Sequence, residues 1–191
     1  KFMRAFYKNS QIFWRKVEMP STLIVYSSVD GHTKKICDKI EMTISKSDQV
    51  DAMSIDDALN KDLTTYDKII IGASIRYGNY RPSLFQFITD NKKILESKMS
   101  AFFSVNIVAR KPEKNTPDTN PYMKKFLRKS SWEPNHLGVF AGRLDFPNYK
   151  FTDKYIIKFI MWITKGPTDT NKTYEFTDWD DVDAFAKKLI S

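Results

Sequence analysis

The chain of 191 residues predicts an α/β fold, a parallel sheet doubly wound with helices on both faces. Three observations predict it. Short β-rich apolar runs recur along the chain, each as densely apolar as a strand buried on both faces. Stretches with helical apolar spacing separate them. The first apolar run ends in a hydroxyl-rich turn with one glycine, Tyr26-Ser-Ser-Val-Asp-Gly-His-Thr33, that leads straight into a helix.

The elements follow in order. Thr22-Leu-Ile-Val-Tyr26 reads as the first strand, and Lys34–Ile44 as the first helix, with Ile36, Ile40 and Ile44 recurring every fourth residue. Gln49–Met53 reads as a short second strand, followed by a polar connection with a short helix around Ile55–Asn60. Tyr66–Ser74 is the third strand, strongly apolar. Arg81-Pro82 opens the second helix, because a proline there lacks only an N–H that would have no partner. Leu84, Phe85, Phe87, Ile88 and Ile94 supply its apolar face. Met99–Asn106 and His136–Gly142 are strands four and five. Trp179–Ile190 is the last helix, acidic at its start and basic at its end, as the helix dipole favours.

Two segments exceed this minimal pattern. Residues 107–135 begin with a proline-punctuated loop and continue into a helix with Tyr122, Phe126 and Leu127 on one side and Lys124, Lys125, Arg128 and Lys129 around it. Residues 143–172 centre on Phe151–Lys165, a helix that Thr152 can cap. There Lys154, Lys158 and Lys165 share one side, and Ile156, Ile157, Phe159, Ile160, Trp162 and Ile163 cover most of the rest. Such a helix suits a membrane interface, a contact with a second copy in a homo-oligomer, or docking on the domain. Residues 1–20 are a basic, aromatic extension, and residues 21–191 read as one domain. The extension fits an interfacial helix, part of a targeting segment, or sequence foreign to the domain.

Charge follows this division. The net charge is +8. Residues 21–106 hold eleven basic and eleven acidic side chains, whereas residues 107–172 hold thirteen and six. The excess points to an anionic partner or to solubility. The single Cys37 excludes an intramolecular disulfide and belongs to the core or boundary of the first helix. Two histidines, His32 and His136, argue against a multi-histidine metal centre, so no metal is expected. No apolar run approaches the ~20 residues that span a bilayer.

The turn after the first strand aims backbone N–H groups and a positive dipole end at one point, which suits a phosphate. It lacks the lysine of a triphosphate loop and the three glycines of a dinucleotide fingerprint, so a single terminal phosphate fits better. Ser and Asp here also serve as ordinary helix caps.

Ser28-Val-Asp-Gly31-His-Thr33 resembles the phosphate loop of the flavodoxin-like fold at Ser28, Gly31 and Thr33, with Asp30 in place of a hydroxyl residue. A carboxylate is awkward beside a phosphate, so Asp30 is expected to cap the helix or face away. Ile71-Gly-Ala-Ser-Ile-Arg-Tyr-Gly-Asn-Tyr80, Ala101-Phe-Phe-Ser-Val-Asn-Ile-Val-Ala-Arg-Lys-Pro-Glu-Lys114 and Thr177-Asp-Trp179 narrow the match. Together they closely resemble the flavodoxin-like, quinone-dependent protoporphyrinogen oxidases of bacterial haem synthesis, from about Thr22 to Leu189.

The resemblance implies a five-stranded sheet of order 2-1-3-4-5, bound FMN, and oxidation of protoporphyrinogen IX to protoporphyrin IX. It implies a quinone acceptor, menaquinone or ubiquinone, and peripheral attachment to the cytoplasmic face of the cell membrane. Carried onto this chain, Ser28, Val29, Asp30, Gly31, His32 and Thr33 surround the phosphate. Ser74, Ile75, Arg76, Tyr77, Gly78, Ser104, Val105 and Asn106 border the flavin ring, with Tyr77 a candidate to stack on it. Arg76, Arg110 and Lys111 are candidate anchors for the substrate propionates. Ile156, Ile157, Phe159, Ile160 and Trp162 are candidates for membrane or quinone contact. The chemistry is flavin-centred, with no catalytic triad or paired carboxylates required. The rival readings are an electron-transfer flavodoxin, which is usually acidic, and an NAD(P)H–quinone reductase, for which no added dinucleotide motif is present. Nucleic acid is not an expected partner.

Overall fold

The structure, a computed structural model, describes residues 19–190, so the extension lies outside the described residues except for Met19 and Pro20. In chain order the elements are β1 (Ser21–Ser27), α1 (His32–Ile44), β2 (Gln49–Ser54), β3 (Lys68–Ser74), α2 (Pro82–Ser97), β4 (Met99–Asn106), α3 (Pro121–Lys129), β5 (His136–Ala141), β6 (Arg143–Asp145), α4 (Phe151–Ile163), β7 (Thr173–Glu175) and α5 (Trp179–Lys188). The first five strands form one parallel sheet of order β2-β1-β3-β4-β5, as the sequence predicts. β6 and β7 pair antiparallel in a small separate ribbon.

Alternation along the central strands sorts apolar side chains to two faces. Leu23, Val25, Ile69, Ile71 and Phe102 meet Leu84, Phe87, Ile88 and Leu95 of α2 and Met123 and Phe126 of α3. Ile24, Ile70 and Phe103 meet Ile36, Cys37, Ile40 and Ile44 of α1 and Val182, Phe185 and Ala186 of α5. On this second face Phe103 lies across the sheet against Gly72, where a Cβ would fall 2.1 Å from its ring. Cys37 is fully buried, and burial pushes its thiol pKa up, so it is a packing residue and not a nucleophile.

The insertion after β4 is part of the main core. Phe126 stacks on Phe102 with ring centroids 3.7 Å apart and planes 6° from parallel, and Trp132 meets both rings edge-on. Lys124, Lys125, Arg128 and Lys129 are exposed, with Lys125 donating to the Gly78 carbonyl and Asn79 Oδ1 and Lys129 lying over the Phe85 ring.

Several elements depart from the sequence expectation. α1 starts at His32, two residues early, because Gly31 takes a left-handed conformation (φ 75°) and turns the chain into the helix at once. Met123, not Leu127, joins Phe126 in the core, and Leu127 is exposed. Thr152 does not cap α4: the helix begins at Phe151, so Thr152 already lies in its first turn. The β6–β7 ribbon has strands of three residues, too short to show a periodicity.

Because Phe126 has no exposed surface and contacts three other aromatic rings besides Phe102, Phe126→Ala should lose about 3–5 kcal/mol of stability. Urea unfolding followed by circular dichroism measures this. A loss below about 1 kcal/mol would show that α3 is an appendage and not a core element.

Candidate functional site

β1, β3 and β4 are neighbours, and all end at the same edge of the sheet, so their loops converge there. A cleft of about 60 Å³ at that edge is lined by Ser28, Val29, Asp30, His32, Thr33, Ser74, Ile75, Arg76, Val105, Asn106, Ile107, Gly142 and Arg143. Its floor is the start of α1. That helix has no side-chain cap and no acidic residue in its first turn, and Lys34 and Lys35 stand there instead. Positive charge at a helix N-terminus opposes the dipole unless an anion sits nearby.

The hydroxyl groups of the loop point the same way. Ser28 Oγ, Thr33 Oγ1 and His32 Nδ1 are buried without a hydrogen-bond partner, as is Ser27 Oγ one residue earlier. Buried polar atoms are normally satisfied. Unpartnered atoms at an uncapped, basic helix start fit a phosphoryl group as the missing partner.

Asp30 lines the cleft but does not cap α1. Both of its oxygens accept from Arg76 Nη1, at 2.9 and 2.8 Å. Arg76 Nη2 donates to Asp153 of α4 at 2.6 Å, and Tyr77 Oη donates to the other Asp153 oxygen at 2.5 Å. The Arg76 guanidinium also lies over the Tyr77 and Tyr149 rings, 5.1 and 5.9 Å from their centroids. Tyr77 and Gly78 both take positive φ, 48° and 76°, which turns the loop outward and leaves Tyr77 more than half exposed.

Beyond the cleft runs a groove of about 180 Å³. Its walls are the Ile75–Gly78 loop, the turn at Ile107–Arg110, Tyr122, Arg143, Leu144 and Tyr149, and the inner face of α4 through Ile157, Ile160, Met161 and Thr164. Arg110 stands at its edge, held by the Ile107 carbonyl at 3.1 Å and by the Thr164 carbonyl and hydroxyl, each at 3.0 Å. Desolvation lowers its pKa, yet a guanidinium stays charged. Among the described residues no carboxylate pairs with it.

The structure therefore treats the sequence candidates unequally. Ser28–Thr33 apart from Gly31, and Ser74, Ile75, Arg76, Val105 and Asn106, line one cleft, while Gly31 turns the chain into α1. Tyr77 and Gly78 line the adjoining groove. Ser104 does not reach the cleft: its hydroxyl is fully buried, accepting from Tyr80 Oη at 2.8 Å and from Asn106 Nδ2 at 3.0 Å. Asn106 itself caps the turn that follows, accepting from the Ala109 N–H. Arg76 is neutralised by two aspartates, and Lys111 lies outside the groove lining, so Arg110 is the candidate anchor with unmet charge. Ile157 faces inward onto the cluster of Leu144, Phe146 and Met161, not outward with Ile156, Phe159 and Trp162. Arg143 and Tyr149 carry no expectation from sequence, and Tyr122 is expected there only on the apolar side of its helix. Arg143 directly follows the end of β5, and that position was the available signal.

The Tyr77 hydrogen bond, and next the Arg76 charge, hold the Asp153 carboxyl pKa below the usual carboxylate range. The lowered value means that this contribution to α4 docking is present above about pH 4 and is lost as pH falls through the folded-state value. Asp153→Asn should therefore loosen α4 at neutral pH. Hydrogen exchange over residues 151–163 should quicken while α1 and α2 stay protected. Unchanged exchange in α4 would mean that Ile157 and Met161 alone hold it.

The flavodoxin domain family model matches residues 23–171. A protoporphyrinogen IX dehydrogenase (quinone) from Leishmania major is 44% identical over 176 residues, covering 91% of this chain and 76% of that protein. The enzyme of the same name from Escherichia coli K12 is 41% identical over 169 residues, covering 88% and 93%. Among solved structures, oxidised flavodoxin 1 from Bacillus cereus superposes with a TM-score of 0.51 at 16% identity, over 89% of this chain and 97% of its own. A flavodoxin from the domain Archaea gives 0.51 at 14%, over 89% and 96%. The chain belongs to the flavodoxin domain family, and within it to the family of the quinone-dependent protoporphyrinogen IX dehydrogenases.

Proposed function

We propose that this chain is an FMN-dependent dehydrogenase that oxidises protoporphyrinogen IX to protoporphyrin IX and passes the electrons to a quinone. One observation carries the reading. An anion cradle with unpartnered polar atoms opens directly into an apolar groove edged by arginine. FMN has the same division, a phosphate at one end and a flat, largely apolar ring at the other. Protoporphyrinogen is a broad apolar macrocycle bearing two propionates, and a quinone is an apolar ring. The relatives at 41–44% identity carry the name of this reaction.

When bound, FMN supplies the two-electron acceptor and donor of the cycle. The residues of the chain supply position and field. The N–H groups opening α1, with the Ser28 and Thr33 hydroxyls, would hold the phosphate. Arg76 neutralises the Asp30 carboxylate at the edge of the same cleft. The ends of β3 and β4, with Tyr77, would hold the flavin ring. The inner face of α4 and Tyr149 form the outer wall and shield the apolar floor from water. Arg110 pairs with a substrate propionate, as an unpaired guanidinium in an apolar wall favours. Aromatising the macrocycle removes six electrons and six hydrogens. Three two-electron turns accomplish this, and each converts one quinone to its quinol.

The outer face of α4 suggests where the quinone comes from. Phe151, Tyr155, Ile156, Phe159, Trp162 and Ile163 are exposed together, between 49% and 75% each. Lys154 and Lys158 lie on the same helix, and Lys165 follows just beyond its end. No described helix is long and apolar enough to cross a membrane. A short basic, aromatic helix of this kind rests in a lipid interface. Peripheral attachment through α4 would bring the groove to a lipid-soluble acceptor.

Two experiments test this. Anaerobic mixing of FMN-loaded protein with protoporphyrinogen IX and a menaquinone analogue should give porphyrin fluorescence that needs both FMN and quinone. A flavin-loaded protein giving none would overturn the reading. Arg110→Ala should raise the KM for porphyrinogen about tenfold or more, since hydrogen bonds to charged groups contribute ~1.5–3 kcal/mol. In the second, Ile156, Phe159 and Trp162 are replaced together by Ser. Binding to anionic vesicles should fall at least tenfold with FMN loading retained. Unchanged vesicle binding would remove α4 from the membrane, and a dimer lost in the same variant would give its outer face to a second copy.

A further inference from the structure

His32 opens α1 and is 6% exposed. Its two ring nitrogens have different surroundings. Nε2 lies 2.6 Å from Thr177 Oγ1, and that hydroxyl donates to the Ala141 carbonyl at 2.8 Å. With its one proton given to the Ala141 carbonyl, the hydroxyl accepts from His32, which assigns the ring hydrogen to Nε2. In the neutral ring Nδ1 is then a bare lone pair, buried and without a partner. His32 forms part of the cleft wall together with Ser28 and Thr33, at the positive end of the helix. A phosphate monoester above about pH 6 is mostly a dianion with no proton to offer that lone pair. A bare acceptor facing a dianion repels it. The same contact with one proton in it is a charge-assisted hydrogen bond.

We propose that His32 makes phosphate capture in this cleft proton-coupled: binding of a phosphate monoester takes up one proton from solvent, held between Nδ1 and a phosphate oxygen. The proposal rests on the reading of this cleft as the flavin phosphate site. The balance is one neutral imidazole, one phosphate dianion and one solvent proton, giving a complex with the charge of an imidazolium–dianion pair. Whether the proton sits nearer nitrogen or oxygen does not change the count.

The surroundings agree. In the free protein, burial lowers the His32 pKa. Glu175 on β7 opposes this, while Arg143 on β6 and Lys35 on α1 add to it. From α5 the ring meets the neutral Trp179 indole edge-on, with centroids 6.1 Å apart. The ring is neutral near pH 7 until an anion arrives against Nδ1. Glutamine at this position would offer an amide donor and need no proton.

Proton uptake on binding means that affinity falls as pH rises, by up to tenfold per pH unit where the free ring is neutral and the complex is protonated. The test is calorimetric titration of the apo-protein with FMN at pH 7.5, in phosphate-free buffers of different ionisation enthalpy. Riboflavin and the variant His32→Gln serve as controls. About one proton per FMN is expected for the native protein, and close to none for riboflavin or for FMN with His32→Gln. FMN affinity should fall close to tenfold per unit from pH 7 to pH 8.5 in the native protein and stay flat in the variant. FMN binding with the same proton count in both proteins overturns the proposal and leaves the flavin reading standing. No FMN binding by the native protein overturns both. Should His32→Gln fail to fold, the difference between FMN and riboflavin in the native protein decides alone.

Discussion

Arg76 is where three separately encoded segments meet. Its guanidinium joins Asp30, from the loop after β1, to Asp153, from the helix added after β5, and its own backbone carries the loop after β3. Pairs of this exposure contribute little stability: Arg76 is 24% exposed, Asp30 43% and Asp153 14%, and exposed ion pairs are generally worth about 0–1 kcal/mol. Their effect is geometric. Without Arg76 the Asp30 carboxylate stands one residue from the glycine that turns into α1, where a phosphate would meet a like charge. With it, that carboxylate is neutralised and becomes one anchor of the groove. A residue that looks like a defect in the phosphate loop is half of the device that positions α4.

The sheet was legible in the sequence because a parallel strand buried on both faces leaves an unmistakable apolar run. All five strands lie within two residues of where those runs place them. The cleft was legible for a related reason: parallel strands end at one edge, so residues after β1, β3 and β4 had to converge. Side-chain direction was less accessible. Ser104 sits in a cleft-forming strand end, yet its hydroxyl is used by Tyr80 inside the core. Lys111 is adjacent to Arg110, but the short helical turns on either side leave only Arg110 in the groove wall. Contacts such as Arg76–Asp153 and His32–Thr177 span 77 and 145 residues, and no local pattern encodes them.

The two basic segments show how far composition alone can carry an inference. α3 and α4 both mix lysine with aromatic and aliphatic residues, and together they hold much of the excess charge. In α3 the apolar side chains form a narrow stripe, Met123 and Phe126, that enters the core, and the charges face out. α4 is apolar nearly all round, so periodicity could not say which side docks. The structure resolves it: Met161 is buried, Ile157 is half-buried, and the larger residues remain outside. Exposing several large apolar side chains on one helix is costly in water, and it marks a surface that meets something apolar.

The attachment of α4 links that outer face to the chemistry. The helix rests on a small cluster of its own, Leu144, Phe146 and Met161, separate from the two cores that flank the sheet. Its ends are fixed by the two arginines that edge the groove, Arg76 through Asp153 and Arg110 through Thr164. Gly166, just beyond it, keeps this second junction tight: a Cβ there would fall 2.7 Å from Met161 Sδ and 3.0 Å from the Arg110 guanidinium. Ile160 belongs to both surfaces, lining the groove while remaining 42% exposed. The helix is thus held at its ends by polar contacts and in the middle by a thin apolar seat. Since one side of it walls the groove and the other faces outward, one short helix carries both surfaces, and the two arginines that edge the groove also fix where its outer face stands.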